Sequence, residues 1–375
     1  MTTSVDPSRA SARPGRRAYI DWARGIAVLL MIEAHTTDAW TRAAAKNTIA
    51  YRDAIILGGF AAPLFLFLAG LALVLSATRT AERTGRRADA VDAISRRGLE
   101  VFVLAFLFRV QALIVSPGGP IVSLFRVDIL NIMGPAMVLA GVVWGLAATT
   151  TVRVASYAVI AAAIGMITPL VRGAAWVGAL PVWLQWYLRP AGDYTMFTMF
   201  PWAGFVFAGG AVGALLATAR DVTAERRVHV VLSVTGVALI VIGFITAAQP
   251  TIYHASAYHA PSFWTSSPTW YAIRVGILVV ALGVIYGLAA LAARVNITLR
   301  PLTLIGRHSL FVYWIHVELV YGYASRWWIG RLPLWGTAAA SAVFSVLMYG
   351  AVLLWRRADL HLFTREKRTP GYRLA

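Results

Sequence analysis

The chain has 375 residues, 59% of them hydrophobic and only 13% charged, with a formal net charge of +18. Soluble globular domains carry about 25% charged residues, so this composition, with a mean hydropathy of +0.68, excludes a soluble chain and points to burial in lipid. Cysteine is absent, which excludes a disulfide framework and a thiolate metal site.

Residues 1–18 form a polar arm bearing Arg and Pro. No short apolar stretch in it ends in a small-residue cleavage site, so it does not read as a signal peptide. Ten apolar runs then follow, each near the 20 or so residues that cross a bilayer as a helix. They lie at 19–39, 54–77, 98–116, 128–148, 153–171, 197–218, 228–248, 270–293, 305–325 and 333–355. The pattern predicts an all-α polytopic membrane protein of about ten transmembrane helices, with one membrane domain over 19–355 and a basic tail over 356–375. The longest loop, 172–196, contains "WVGALPVWLQWYL", an aromatic stretch suited to a short amphipathic or re-entrant segment. No repeat of fixed period is visible.

The first run, "ARGIAVLLMIEAHTTDAW", holds Arg24, Glu33, His35 and Asp38 in or beside an apolar centre. An ionisable side chain inside a membrane segment costs roughly 2.5 kcal/mol or more. Asp21, Arg24, Val28, Met31, His35 and Asp38 recur at spacings of three and four, so they share one helix face. Arg24 and His35 are three turns apart, about 16 Å along the axis, while Glu33 points elsewhere. The stripe resembles one wall of a passage with a cation at one mouth and a His near the other. Snorkelling would account for Arg24, and capping of the outer helix end for His35 and Asp38. Neither explains why all of them lie on one stripe.

Later runs repeat the theme. The third carries Arg109 and the fourth opens on "DILNIMG", which puts Asp128 and Asn131 on one face. Arg274 lies a turn into the eighth, and the ninth, "GRHSLFVYWIHVELVYG", places His316 and Glu318 near mid-membrane. A bonding role between helices competes with a functional role for these last two. Charges of both signs on runs one, three, eight and nine imply a shared polar interior. Gly209, Gly210 and Gly213 follow no strand, so they read as helix packing rather than as a dinucleotide loop.

Of the 34 Lys and Arg residues, 23 fall on the termini and even-numbered loops, eight on the opposite loops and three within helices. The positive-inside bias places both termini in the cytoplasm. The basic charge is spread over short loops rather than gathered on one domain, so nucleic acid is not expected as a partner.

"YIDWARGIAVLLMIEAH" resembles the opening of the transmembrane acyltransferase superfamily, which includes bacterial envelope O-acetyltransferases and heparan-α-glucosaminide N-acetyltransferases. "DILNIMG", "FPWAGFVFAGGAVG" and "PLTLIGRHSLFVYWIH" resemble three further motifs of the glucosaminide branch, in the same order. The resemblance covers about residues 17 to 350. It implies transfer of an acetyl or other short acyl group from cytoplasmic acyl-CoA to an extracytoplasmic glycan or glycolipid, at an amine or a hydroxyl. Acetyl-CoA enters as substrate, with no bound cofactor and no metal, in the plasma (inner) membrane. A homodimer is left open. On this reading Arg24, Arg96, Arg97 and Arg307 bind CoA phosphates. His35 acts as base or acyl carrier and Asp38 orients it or meets the acceptor. Glu33, Arg109, Asp128, Asn131, Arg274, His316 and Glu318 line the supporting interior. His254 and His259, in loop 249–269, are rivals to His35. The alternative is a proton-coupled transporter of a small solute, which would also place His316 and Glu318 at mid-membrane.

Overall fold

The structure is a computed structural model that describes residues 17–115, 120–195, 197–248 and 266–366. The chain is an all-α polytopic membrane protein. The helices are α1 (Ala18–Trp40), α2 (Ala43–Lys46), α3 (Ile49–Gly58), α4 (Ala61–Thr84), α5 (Arg87–Val115), α6 (Ile129–Leu146), α7 (Thr150–Gly173), α8 (Ala175–Gly178), α9 (Val182–Leu188), α10 (Met199–Thr218), α11 (Val222–Ala247), α12 (Pro268–Arg294), α13 (Arg300–Arg307), α14 (Ser309–Tyr321) and α15 (Leu334–Glu366).

Their starts follow local chemistry. Thr149, Asp221 and Ser267 each accept a backbone N–H three residues on, opening α7, α11 and α12. Each thereby satisfies a donor that the helix leaves orphaned. Among the described residues, eight helices are long and apolar enough to cross a membrane. The remaining two expected runs correspond to α1 and to α13 with α14. These are the runs that carry His35 and His316, and their polar residues or shortness keep them below that threshold.

Three expected boundaries are corrected. The ninth run is two helices, not one, because the chain leaves helical geometry at His308 (φ −107°, ψ 25°). The His308 Nδ1 lies 2.9 Å from the Leu304 carbonyl, which helps satisfy the last turn of α13. The second run is preceded by α3, with a break at Gly59 and Phe60. The expected loop 78–97 is almost entirely helix, since α4 and α5 leave only two residues between them. The aromatic loop 172–196 contains the two short helices α8 and α9.

The chain divides into two compact units. One comprises Met1–Ile20 with Ala62–Ile297, the other Asp21–Ala61 with Thr298–Ala375. In the first, α5 crosses α6 where Gly98 meets Gly134, and α11 crosses α12 where Gly236 meets Gly276. A Cβ on Gly98 would lie 2.8 Å from the Gly134 oxygen, and one on Gly236 would lie 2.8 Å from the Gly276 oxygen. Backbones approach this closely only where both residues lack a side chain. The two crossings match in detail, since Val138 and Val280 occupy the equivalent positions four residues on. That correspondence was not visible as a sequence period. In the same unit, Tyr157 of α7 is fully buried and donates to the Ala140 carbonyl of α6 at 2.6 Å.

The second unit is built from α1 beyond Ile20, α2, α3, α13, α14 and α15. α13 packs on α1 through Gly306, where a Cβ would overlap the Asp21 carbonyl oxygen. The turn after α14 joins the end of α1 through backbone bonds from Gly330 to Ala39 and from Leu332 to Trp40, both 2.9 Å.

Candidate functional site

Within the second unit, the polar stripe of α1 meets α13 and α14 at successive levels. At the first, Arg307 Nε donates to Asp21 Oδ2 at 3.1 Å, and Arg24 Nη1 lies 3.6 Å from Asp21 Oδ1. Asp21 is 2% exposed, and both arginines remain partly accessible. Two guanidiniums sharing one carboxylate leave a net positive charge at this end of α1. Trp22 donates to Thr303 at 3.1 Å and fixes the same contact.

Three turns along, His35 Nδ1 lies 3.0 Å from His316 Nε2. The imidazole planes are 9° apart. His316 Nδ1 faces the carbonyls of Val312 and Tyr313 at 2.9 and 3.0 Å. A carbonyl only accepts, so Nδ1 of His316 carries its proton and Nε2 presents a lone pair. His35 must then donate from Nδ1, and its Nε2 is the bare nitrogen. His316 is fully buried and His35 only half-buried. The half-buried ring therefore holds the free base, and the fully buried ring sets its tautomer.

One turn further, Asp38 is not bonded to His35. Its Oδ2 accepts from the Tyr321 hydroxyl at 2.8 Å, and Lys46 donates to the Asp38 carbonyl at 2.6 Å. Tyr321 itself stands edge-on to the His35 ring, with centroids 5.7 Å apart. The hydrogen bond to the His35 ring comes from His316, and Tyr321 touches both the Asp38 carboxylate and the His35 ring. Glu33 points to another side of α1, as its spacing predicts. It accepts from Thr37 at 3.1 Å, and a Cβ on Gly58 of α3 would lie 2.5 Å from its Oε2. Glu318 is half-buried on α14.

The remaining expected residues lie in the first unit. Arg109 of α5 pairs with Asp128, the residue before α6, and Asn131 Oδ1 accepts from the Asp128 N–H at 3.1 Å. Arg274 packs over the ring of Trp270 on its own helix, 4.4 Å from the centroid. Arg96 and Arg97 are exposed on α5, and Arg97 donates to Glu100 at 3.0 Å. Of the expected polar residues, Asp21, Arg24, Glu33, His35, Asp38, Arg307, His316 and Glu318 belong to one unit, and Arg96, Arg97, Arg109, Asp128, Asn131 and Arg274 to the other. His254 and His259 lie outside the described residues.

Two features escaped the sequence reading. Tyr321 was one aromatic among many, and only the end of α1 beside it marks it out. In the first unit, Glu225 is 5% exposed and accepts from Arg17 at 2.6 Å and from Tyr19 at 2.7 Å. Glu225 stands before Arg226 and Arg227 in a polar stretch, where a buried acid has no local signature.

A family model described as heparan-alpha-glucosaminide N-acetyltransferase, catalytic, matches residues 16–246. The matched stretch takes in α1 and ends within α11, so Arg307, His316 and Tyr321 lie beyond it. No curated protein matches the chain.

Proposed function

The chain belongs to the heparan-alpha-glucosaminide N-acetyltransferase family and is a membrane acetyltransferase; from that premise we propose that it moves the acetyl group of cytoplasmic acetyl-CoA to an amine or hydroxyl of an extracytoplasmic glycan. On this reading ten helices span the plasma membrane with both termini inside, as the distribution of Lys and Arg suggests. The membrane domain extends over 19–355, between a cytoplasmic arm and a cytoplasmic basic tail.

The observation that carries the proposal is the His35–His316 pair. A half-buried imidazole with a bare Nε2 and a donor fixed on Nδ1 is poised as a general base. The acceptor N–H or O–H gives its proton to His35 Nε2 as the nitrogen or oxygen attacks the thioester carbonyl. The new C–N or C–O bond forms, the C–S bond breaks, and CoA leaves as a thiolate. The imidazolium then returns the proton to that sulfur. While charged, His35 still donates from Nδ1 to His316 Nε2, and a hydrogen bond to a charged group is worth about 1.5–3 kcal/mol. The fully buried ring thus stabilises the charge that develops on the half-buried one, as an orienting third group does in other acid–base sites. Arg24 and Arg307 supply cations for the CoA phosphates at the cytoplasmic end, with Arg96 and Arg97 as further candidates. Asp38 contacts the acceptor, and Tyr321 holds it in place.

The test uses purified protein in lipid nanodiscs with acetyl-CoA and methyl glucosaminide. Released CoA is measured with a thiol reagent, to which the cysteine-free chain contributes no background. Acceptor-dependent thiol release is expected. An intact thioester with every amino and hydroxyl sugar offered, free or lipid-linked, would sink the proposal and restore the transporter reading.

A further inference from the structure

The end of α14 and the turn into α15 carry an exposed aromatic and cationic surface. Residues 326–331, Arg-Trp-Trp-Ile-Gly-Arg, are all exposed. Trp327 is 70% exposed and Trp335, at the start of α15, is 78% exposed, with Tyr323 and Trp328 also open. Arg326 lies 5.8 Å from the centroid of the Trp327 ring. No Asp or Glu occurs from residue 319 to 335, so both arginines lack an acidic neighbour in this segment.

Exposed tryptophans commonly mark the bilayer interface on any side of a membrane protein. This segment differs because it is stitched to the candidate site. Gly330 and Leu332 donate to the carbonyls of Ala39 and Trp40, and Arg42 donates back to Leu332 at 2.9 Å. Ala39 follows Asp38 directly. Tyr321, which holds Asp38, opens the same turn. His35 is one helical turn below, about 4.5 Å of rise.

We propose that this surface docks a phosphate-linked lipid that carries the acceptor sugar, so that the acceptor is membrane-anchored rather than free. The inference rests on the acyl-transfer reading above. Three chemistries meet here, and one occupant satisfies all of them. The tryptophan faces take an acyl or prenyl chain at the interface and the apolar face of a sugar. Arg326 and Arg331 bind the phosphate. The backbone stitching to Ala39 and Trp40 sets the sugar beside Asp38, within reach of His35. A bulk phospholipid would use the same arginines, but it gains nothing from a turn fixed to the end of α1.

The experiment is native mass spectrometry of the full chain with citronellyl-phosphate-linked glucosamine as probe. One probe molecule per chain is expected, with retention at least tenfold weaker in R326Q/R331Q and in W327A/W328A. R326K/R331K keeps the charge and should keep most of the binding. Phosphatidylglycerol added at equal concentration should not displace the probe from the unmodified protein. Displacement would assign the surface to bulk headgroups and overturn the proposal, as would absent retention by the unmodified protein or unchanged retention in both charge-neutral and Trp-deleted variants. Acetyl transfer separates the two readings. Probe bound but never acetylated counts against acyl transfer. Methyl glucosaminide acetylated while the probe fails to bind counts against the docking surface alone.

Discussion

His316 Nε2 lies 3.0 Å from His35 Nδ1, and the other nitrogen of His316 is held by two carbonyls of its own helix. This fixes the free lone pair on His35 Nε2. His35→Ala should therefore lower kcat by about 10²–10⁴-fold, the usual contribution of a general acid–base group. Acetyl-CoA binding, followed by isothermal titration, should stay near that of the parent protein. Near-normal turnover in this variant, with loss of activity on substitution of His254 or His259, would move the chemistry to loop 249–269.

His316 acts through His35, so it is a positioning residue. Removing its acceptor nitrogen loses a hydrogen bond to a charged group, which corresponds to about 10- to 100-fold in kcat for His316→Ala. His316→Gln presents a side-chain oxygen to His35 Nδ1 and should recover part of that loss, with KM for both substrates little changed. Equal activity of the Ala and Gln variants would reduce His316 to packing.

Arg24 and Arg307 share Asp21 and leave one net positive charge at that end of α1. Arg307→Gln and Arg24→Gln should each raise the acetyl-CoA KM about tenfold, the size of one charge-assisted bond, and leave kcat nearly unchanged. Steady-state kinetics with desulfo-CoA as a competitor reports the same loss as a weaker Ki. An unaltered KM in both variants would assign these side chains to the headgroup layer.

Gly306 lies against the Asp21 backbone, with no room for a Cβ, whereas a Cβ at Gly287 of α12 would meet nothing within 4 Å. Overpacking costs about 1–3 kcal/mol. Gly306→Ala should lower the thermal midpoint in detergent and reduce activity through the displaced α13. Gly287→Ala serves as the control and should do neither.

A cysteine-free chain gives a direct reading of orientation. Thr84→Cys, at the end of α4, should react with a membrane-impermeant maleimide only after permeabilisation. Ala324→Cys, in the turn after α14, should react in intact cells. The reverse pattern would invert the topology and place the His35 end of α1 in the cytoplasm.

The sequence by itself determined the class of protein, the approximate helix positions and the polar stripe of α1. Lipid offers no partners to the backbone, so a span is a helix or part of a closed barrel, and apolar runs of about 20 residues are the length of a helical span; both signals are local. The spacing of Arg24, His35 and Asp38 was legible for the same reason, because side-chain direction repeats within one helix. What only the tertiary structure decided is which helix the stripe meets. His35 finds His316 across 281 residues of chain, Asp38 finds Tyr321 rather than His35, and Arg109 finds Asp128 in a different unit from either. Sequence spacing fixes the face a residue occupies but carries no record of the neighbour packed against that face. The matched crossings of Gly98 with Gly134 and Gly236 with Gly276 were hidden for a related reason: a close approach needs only two small residues per helix pair, too few to register as a repeat.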